Sequence, residues 1–215
     1  MVDIAQIDAG PFDSNIFLIR EEGTNVLIDT GSGFYNKAVE ESIRRELSGA
    51  RMDAIVLTHE HFDHSGGAAH LMRTFDAPLY GSPECARAMR EADPNLTGSF
   101  LFGANMEPLM DIVEIADGLE IGGLSFDVHS TPGHAPGLVC LIERSGRHLF
   151  CGDLVFCDGG VGRWDLPGGD LELLRRSIDR SLKWEVRSLY PGHGRIETRN
   201  PGYQMELARN MLNMF

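Results

Sequence analysis

The sequence predicts an α/β protein in which helices pack outside two stacked, mixed β-sheets, giving four αββα layers. Two observations carry this. Strand-type runs come in two batches, and helical patterns follow each batch. At 215 residues the chain is sized for one domain (1–215) with a substantial core, and it contains no internal repeat and no Pro/Ser-rich linker.

The elements follow in order. Ile4–Ile7, Asn15–Arg20 and Asn25–Ile28 are apolar or alternating runs of strand type. A turn-rich DTGSG precedes a helical pattern over Tyr35–Leu47, and Met52–Thr58 (MDAIVLT) reads as a buried strand. Gly66–Phe75 is expected to be helical and Ala77–Tyr80 a strand. A further helix runs to about Glu91, opened by Ser82 as N-cap, Pro83 at the first helical position and Glu84 in the first turn. The pattern breaks from Asp93 to Met110, a stretch that fits a long loop or short helix over a cleft, or ordinary packing; within it Phe100–Met110 is either a lid or a contact between two copies in a homodimer. Strands then recur at Gly118–Ile121, Leu124–Ser130, Leu138–Glu143 and His148–Cys151. A helix near Asp170–Leu182, a strand at Ser188–Tyr190 and a helix opened by Asn200–Pro201 complete the chain.

Composition excludes several functions. The formal charge is −13 with no Lys/Arg cluster, which disfavours nucleic acid because phosphate affinity needs concentrated positive charge. No apolar run reaches the 18 residues a membrane span requires, and the acidic N-terminus lacks the basic-then-apolar order of an export signal. Both point to a cytoplasmic chain without membrane partners. Cys85, Cys140, Cys151 and Cys157 have no CxxC spacing and read as reduced thiols packed mostly in strands.

The chemistry lies in THEHFDHSGG, Thr58–Gly67, which holds three of the eight histidines. Residues two apart in an extended segment point the same way, so His59 and His61 aim at one point just past the preceding strand. Asp63 and His64 follow a bend and face a second point. Four such groups buried without a partner would be costly to desolvate, which makes a metal site the better reading. More ligands are then expected at distant strand ends. His134 in STPGHAPG, Asp153 in FCGDLVF and His193 in YPGHGR all meet that condition. His59, His61 and His134 form one ligand set; Asp63, His64 and His193 form a second; Asp153 is placed to bridge. Nitrogen and carboxylate ligands suit two divalent ions, zinc first, with iron or manganese also compatible. His70, His129 and His148 receive no role.

THEHFDH, TPGHAPG, GDLVF and PGHG, in that order and with IDTG at Ile28–Gly31, resemble the metallo-β-lactamase superfamily. The resemblance spans nearly the whole chain and implies the αββα sandwich with metals at one edge. It implies that Asp29 orients a metal-binding histidine, the alternative being a plain turn residue. Within the superfamily the chain looks most similar to glyoxalase II-like (hydroxyacylglutathione hydrolase-like) proteins. VGRWDLPGGD, Val161–Asp170, resembles a segment in which the residue at Arg163 is associated with an anionic, glutathione-type substrate. A structural pair between Arg163 and Asp165 is the competing reading. One departure is that full-length enzymes of this kind carry a further helical C-terminal domain, which leaves the glutathione moiety open.

The resemblance implies hydrolysis of a small acyl thioester by a metal-bridging hydroxide, with Asp63 orienting the water and taking its proton. The alternatives are a persulfide dioxygenase with one iron held by His59, His134 and Asp153, a lactonase-type hydrolase, and a catalytically retired metal-binding module.

Overall fold

The computed structural model describes residues 1–214. Its first sheet holds six strands in the order β1 (Asp3–Ile7), β2 (Ile16–Glu21), β3 (Thr24–Ile28), β4 (Ala54–Val56), β5 (Leu79–Gly81) and β6 (Ile112–Glu114). The second holds five, in the order β11 (Ser188–Pro191), β10 (His148–Gly152), β9 (Val139–Glu143), β8 (Leu124–Ser130) and β7 (Gly118–Ile121). Both are mixed. The β3–β4–β5–β6 neighbours and the β10–β11 pair run parallel, and the remaining pairs are antiparallel.

The layering follows from side-chain alternation along the strands. In β2, Ile16 and Leu18 face the helices while Phe17 and Ile19 face the other sheet. In β9, Val139 and Leu141 enter the space between the sheets, whereas Cys140 and Ile142 turn to the opposite helices. Three apolar layers result. One lies under α1 (Asn36–Leu47), α3 (Ala68–Phe75) and α4 (Pro83–Glu91), one between the sheets, and one under α5 (Leu171–Ser181) and α6 (Pro201–Leu212). Strands buried on both faces read as continuous apolar runs, which is why AIV of β4 carried no alternation in sequence.

The expected start of α4 holds in detail: the Ser82 hydroxyl accepts from the Cys85 amide at 3.1 Å, with Pro83 opening the helix. Helix α5 starts beside the expected Asp170, whose carboxylate caps it through the Leu173 amide at 2.8 Å. Three elements differ from expectation. A single helical turn, α2 (Phe62–Ser65), sits inside the histidine loop. Helix α3 begins at Ala68 rather than Gly66, because Gly66 and Gly67 lie against the backbone of Ser32 and Thr30, where a Cβ would come within 2.4 Å of a carbonyl oxygen. Strand β6 was not anticipated; three residues are too few for a periodic signal. Of the cysteines, only Cys140 and Cys151 lie in strands, with Cys85 in α4 and Cys157 in a short 3₁₀ turn. Among the described residues no helix is long and apolar enough to cross a membrane.

Candidate metal centre

Five strand ends meet at one rim of the sandwich. Asp29 follows β3, Thr58 and His59 follow β4, His134 lies beyond β8, Asp153 beyond β10 and His193 beyond β11. Main-chain hydrogen bonds tie these loops together. The Val139 amide donates to Thr58 O across the two sheets at 2.9 Å, and the Thr30 amide and hydroxyl both donate to His64 O at 2.7 and 2.8 Å.

The structure brings all seven expected side chains together. Ligand-capable atoms of His59, His61 and His134 lie within 4.8 Å of one another, as do those of His59, His64 and Asp153, and those of Asp63, His64 and His193. Asp153 lies between the groups, with Oδ1 3.2 Å from His64 Nε2 and Oδ2 3.4 Å from His134 Nε2 and 3.6 Å from His193 Nε2. Asp63 Oδ2 sits 3.0 Å from His193 Nε2 and 3.8 Å from His64 Nε2.

Hydrogen bonds on the far side of three of the rings, His59, His64 and His134, fix their tautomers. His134 Nδ1 donates to the Arg163 carbonyl at 2.7 Å. The Thr58 hydroxyl donates to Asp29 Oδ2 at 2.8 Å, so it accepts from His59 Nδ1 at 3.1 Å. In the neutral rings the inward nitrogens of His59 and His134 are therefore both bare, and they face each other at 3.2 Å. His64 Nδ1 donates to Asp29 Oδ2 at 2.8 Å, which turns a bare Nε2 toward Asp153. His64 Nε2 and Asp153 Oδ1 are buried without hydrogen-bond partners, and His61 Nδ1 lies 2.7 Å from His134 Nε2. Lone pairs converging in a buried site repel one another unless a cation lies between them. The residues present thus fit divalent ions, and this donor set of imidazoles and carboxylates suits zinc, iron or manganese.

The electrostatics agree. Burial, and next the charge of neighbouring His134, push His61 down to about 3, so its ring stays neutral and free to ligate. Burial likewise holds His59 far below the usual histidine range. Burial also opposes charge on His64, but Asp153, Asp29 and Asp63 outweigh it and raise its affinity for a proton. A cation at the same place would satisfy the same carboxylates.

Sequence reasoning missed the contribution of several neighbours. Thr58 links Asp29 to His59, and its place immediately before the HxHxDH run was the available signal. Gly162 packs so closely that a Cβ would lie 2.1 Å from the Asp153 carbonyl oxygen and 2.7 Å from the His134 ring. A Cβ at Gly192 would lie 2.2 Å from Asp153 Oδ1. Glu60 turns away from the imidazoles, accepts from the Gly137 amide at 3.1 Å, and is raised to about 7 chiefly by burial. Arg163 forms a forked pair with Asp165, both contacts at 2.9 Å, so the competing reading describes its side chain, while its carbonyl orients His134. His70 pairs with Glu40, His129 stacks on Trp184, and His148 contacts the Ser188 hydroxyl.

The centre opens into a cavity of about 290 Å³. Its walls carry Leu101 and Phe102 from the Asp93–Met110 stretch, with Phe156, Val161 and Leu166 opposite. That stretch therefore forms a wall of the site, and Phe102 is anchored on Phe62 with ring centroids 5.1 Å apart.

Comparison with known proteins agrees with this geometry. The model of the metallo-beta-lactamase superfamily matches residues 9–193. A hydroxyacylglutathione hydrolase, GloC, from Haemophilus influenzae is 29% identical over 84% of this chain and 84% of its own. Among solved structures, the B3 metallo-beta-lactamase BLEG-1 superposes with a TM-score of 0.80 at 31% identity, covering 97% of this chain and 96% of that one. A protein crystallised in a di-iron-bound form superposes at 0.78 with 30% identity, covering 98% and 100%. With the family model spanning most of its length and the His/Asp cluster at the rim, the chain belongs to the metallo-beta-lactamase superfamily and has the fold of its metal-dependent hydrolases.

Proposed function

We propose that the chain is a binuclear metal-dependent hydrolase of acyl thioesters. The observation that carries the two-ion reading is the position of Asp153, whose two oxygens lie 3.2–3.6 Å from imidazoles of both ligand sets. His59, His61 and His134 would hold one ion and Asp63, His64 and His193 the other, with Asp153 shared. Zinc is the first expectation, and the di-iron relative keeps iron in view. When bound, such ions supply Lewis acidity at the carbonyl and a water ionised near neutral pH.

The chain's own residues do the rest. Asp63, 20% exposed and facing the cavity, orients the attacking water and accepts its proton. The water oxygen adds to the acyl carbon, the C–S bond breaks, and sulfur leaves as thiolate. A thiolate leaves readily, so the lack of a dedicated general acid beside the centre is no obstacle. The thioester reading is supported by the similarity to the Haemophilus hydrolase. The similarity to the B3 enzyme favours β-lactam hydrolysis as the second reading.

The test is elemental analysis of protein purified without chelators, together with assays on thioesters, a chromogenic β-lactam, a lactone and glutathione persulfide. Two equivalents of metal and thioester turnover are expected. One equivalent of iron with oxygen consumption on the persulfide would make it a dioxygenase instead, and dominant β-lactam or lactone turnover would reassign the substrate.

A further inference from the structure

The cavity beside the centre has a lopsided chemistry. Away from the metal-facing side chains, the large wall residues are Leu101, Phe102, Phe156, Val161 and Leu166; the one hydroxyl among the lining residues, that of Thr97, already donates to the Asp93 carbonyl at 2.7 Å. Arg163 is the only lysine or arginine among the lining residues, and Asp165 already occupies its guanidinium through two contacts of 2.9 Å. An anionic group entering here finds no unpaired side-chain cation, and it approaches a chain of formal charge −13. A hydroxyl on the acyl chain finds little to bond on the apolar walls, and burying it there is unfavourable.

We infer that the acyl group this site takes is an uncharged, apolar chain rather than a hydroxylated or charged one, with Leu101 and Leu166 setting the preference. This rests on the thioester reading for its assay but on the cavity walls for its argument. The Leu101 side chain is half exposed on a short 3₁₀ turn (Ser99–Phe102), and Leu166 is half-buried in the opposite loop, so both can be altered without opening the core.

The experiment uses metal-loaded protein and thioesters of the neutral carrier N-acetylcysteamine bearing acetyl, butyryl, hexanoyl or D-lactoyl groups. kcat/KM is expected to rise by up to roughly fourfold per added methylene, the transfer value of one buried CH₂, and to fall for lactoyl relative to butyryl. Leu101→Ser and Leu166→Ser should each flatten the rise. The second measurement is inhibition or calorimetric binding by hexanoate against lactate, which does not require turnover of a thioester. Hexanoate binding at least tenfold tighter supports the inference, even if no thioester is hydrolysed and the proposed reaction fails. A flat series, a preference for lactoyl, or equal binding of the two carboxylates overturns it while leaving thioester hydrolysis standing.

Discussion

Asp29 Oδ2 lies 2.8 Å from His64 Nδ1, with both side chains buried, and the same oxygen accepts the Thr58 hydroxyl that in turn holds His59. One carboxylate thus aligns an imidazole of each proposed ligand set. It does so from a left-handed backbone (φ 61°) that aspartate and asparagine tolerate better than most residues. Asp29→Ala is expected to weaken metal binding by about 10–100-fold, measured by competition with a chelator. Asp29→Asn should lose less, since it keeps an acceptor and suits that φ. Unchanged affinity in the alanine variant would reduce Asp29 to a turn residue.

Asp63 is expected to matter more for turnover than for folding, because it is partly exposed and borders the cavity. Asp63→Ala should lower kcat by about 10²–10⁴-fold, the usual worth of a positioned proton acceptor. The thermal midpoint of the metal-free variant should stay near that of the parent. Full turnover in a metal-loaded variant would remove Asp63 from the proton transfer.

Gly162 tests the packing behind the centre. A methyl group there meets the Asp153 carbonyl at 2.1 Å, so Gly162→Ala should cost about 1–3 kcal/mol in denaturant unfolding and reduce metal content as His134 and Asp153 are displaced. Gly202→Ala is the matched control. Gly202 lies in the first turn of α6 with nothing within 4 Å of the added methyl, and should be neutral or slightly stabilising.

Metal removal should be destabilising in its own right, since it leaves bare ring nitrogens of His59 and His134 facing each other. An ion at 100 times its Kd contributes about 2.7 kcal/mol to the folded state. Chelation should therefore lower the thermal midpoint by several degrees, and zinc or iron should restore it. An unchanged midpoint would argue against a buried ion.

Burial pushes the Cys140 thiol up to about 12, and raises Cys85 and Cys151 further from the thiolate range. Thiol reagent at pH 8 should therefore modify at most Cys157 in native protein and all four cysteines in denaturant. More than one fast equivalent in native protein would contradict the packing of β9, β10 and α4.

Much of this was legible in the chain, for definable reasons. HxHxDH announced itself because four costly polar groups in six residues have few other uses, and His134, Asp153 and His193 each stood beside a glycine or proline turn after a strand. The cap of α4 was readable because Ser82 bonds its own helix, a local interaction. What stayed hidden depends on residues distant in sequence. The close approach of Gly162 to Asp153, and the role of the Arg163 carbonyl, exist only once two loops meet. Thr58 stands immediately before the HxHxDH run, but a hydroxyl just past a strand end has many uses, and its link from Asp29 to His59 exists only in the fold. The one-turn helix α2 and three-residue β6 are shorter than any periodicity can reveal.

The ligand-bearing loops come from both sheets: His59, His61, Asp63 and His64 leave β4 of the first, while His134, Asp153 and His193 leave β8, β10 and β11 of the second. Any ion gripped there is a rivet through the sandwich. Prising the two halves apart must strip it, so heat-driven release of metal and loss of structure should happen as one event at one temperature.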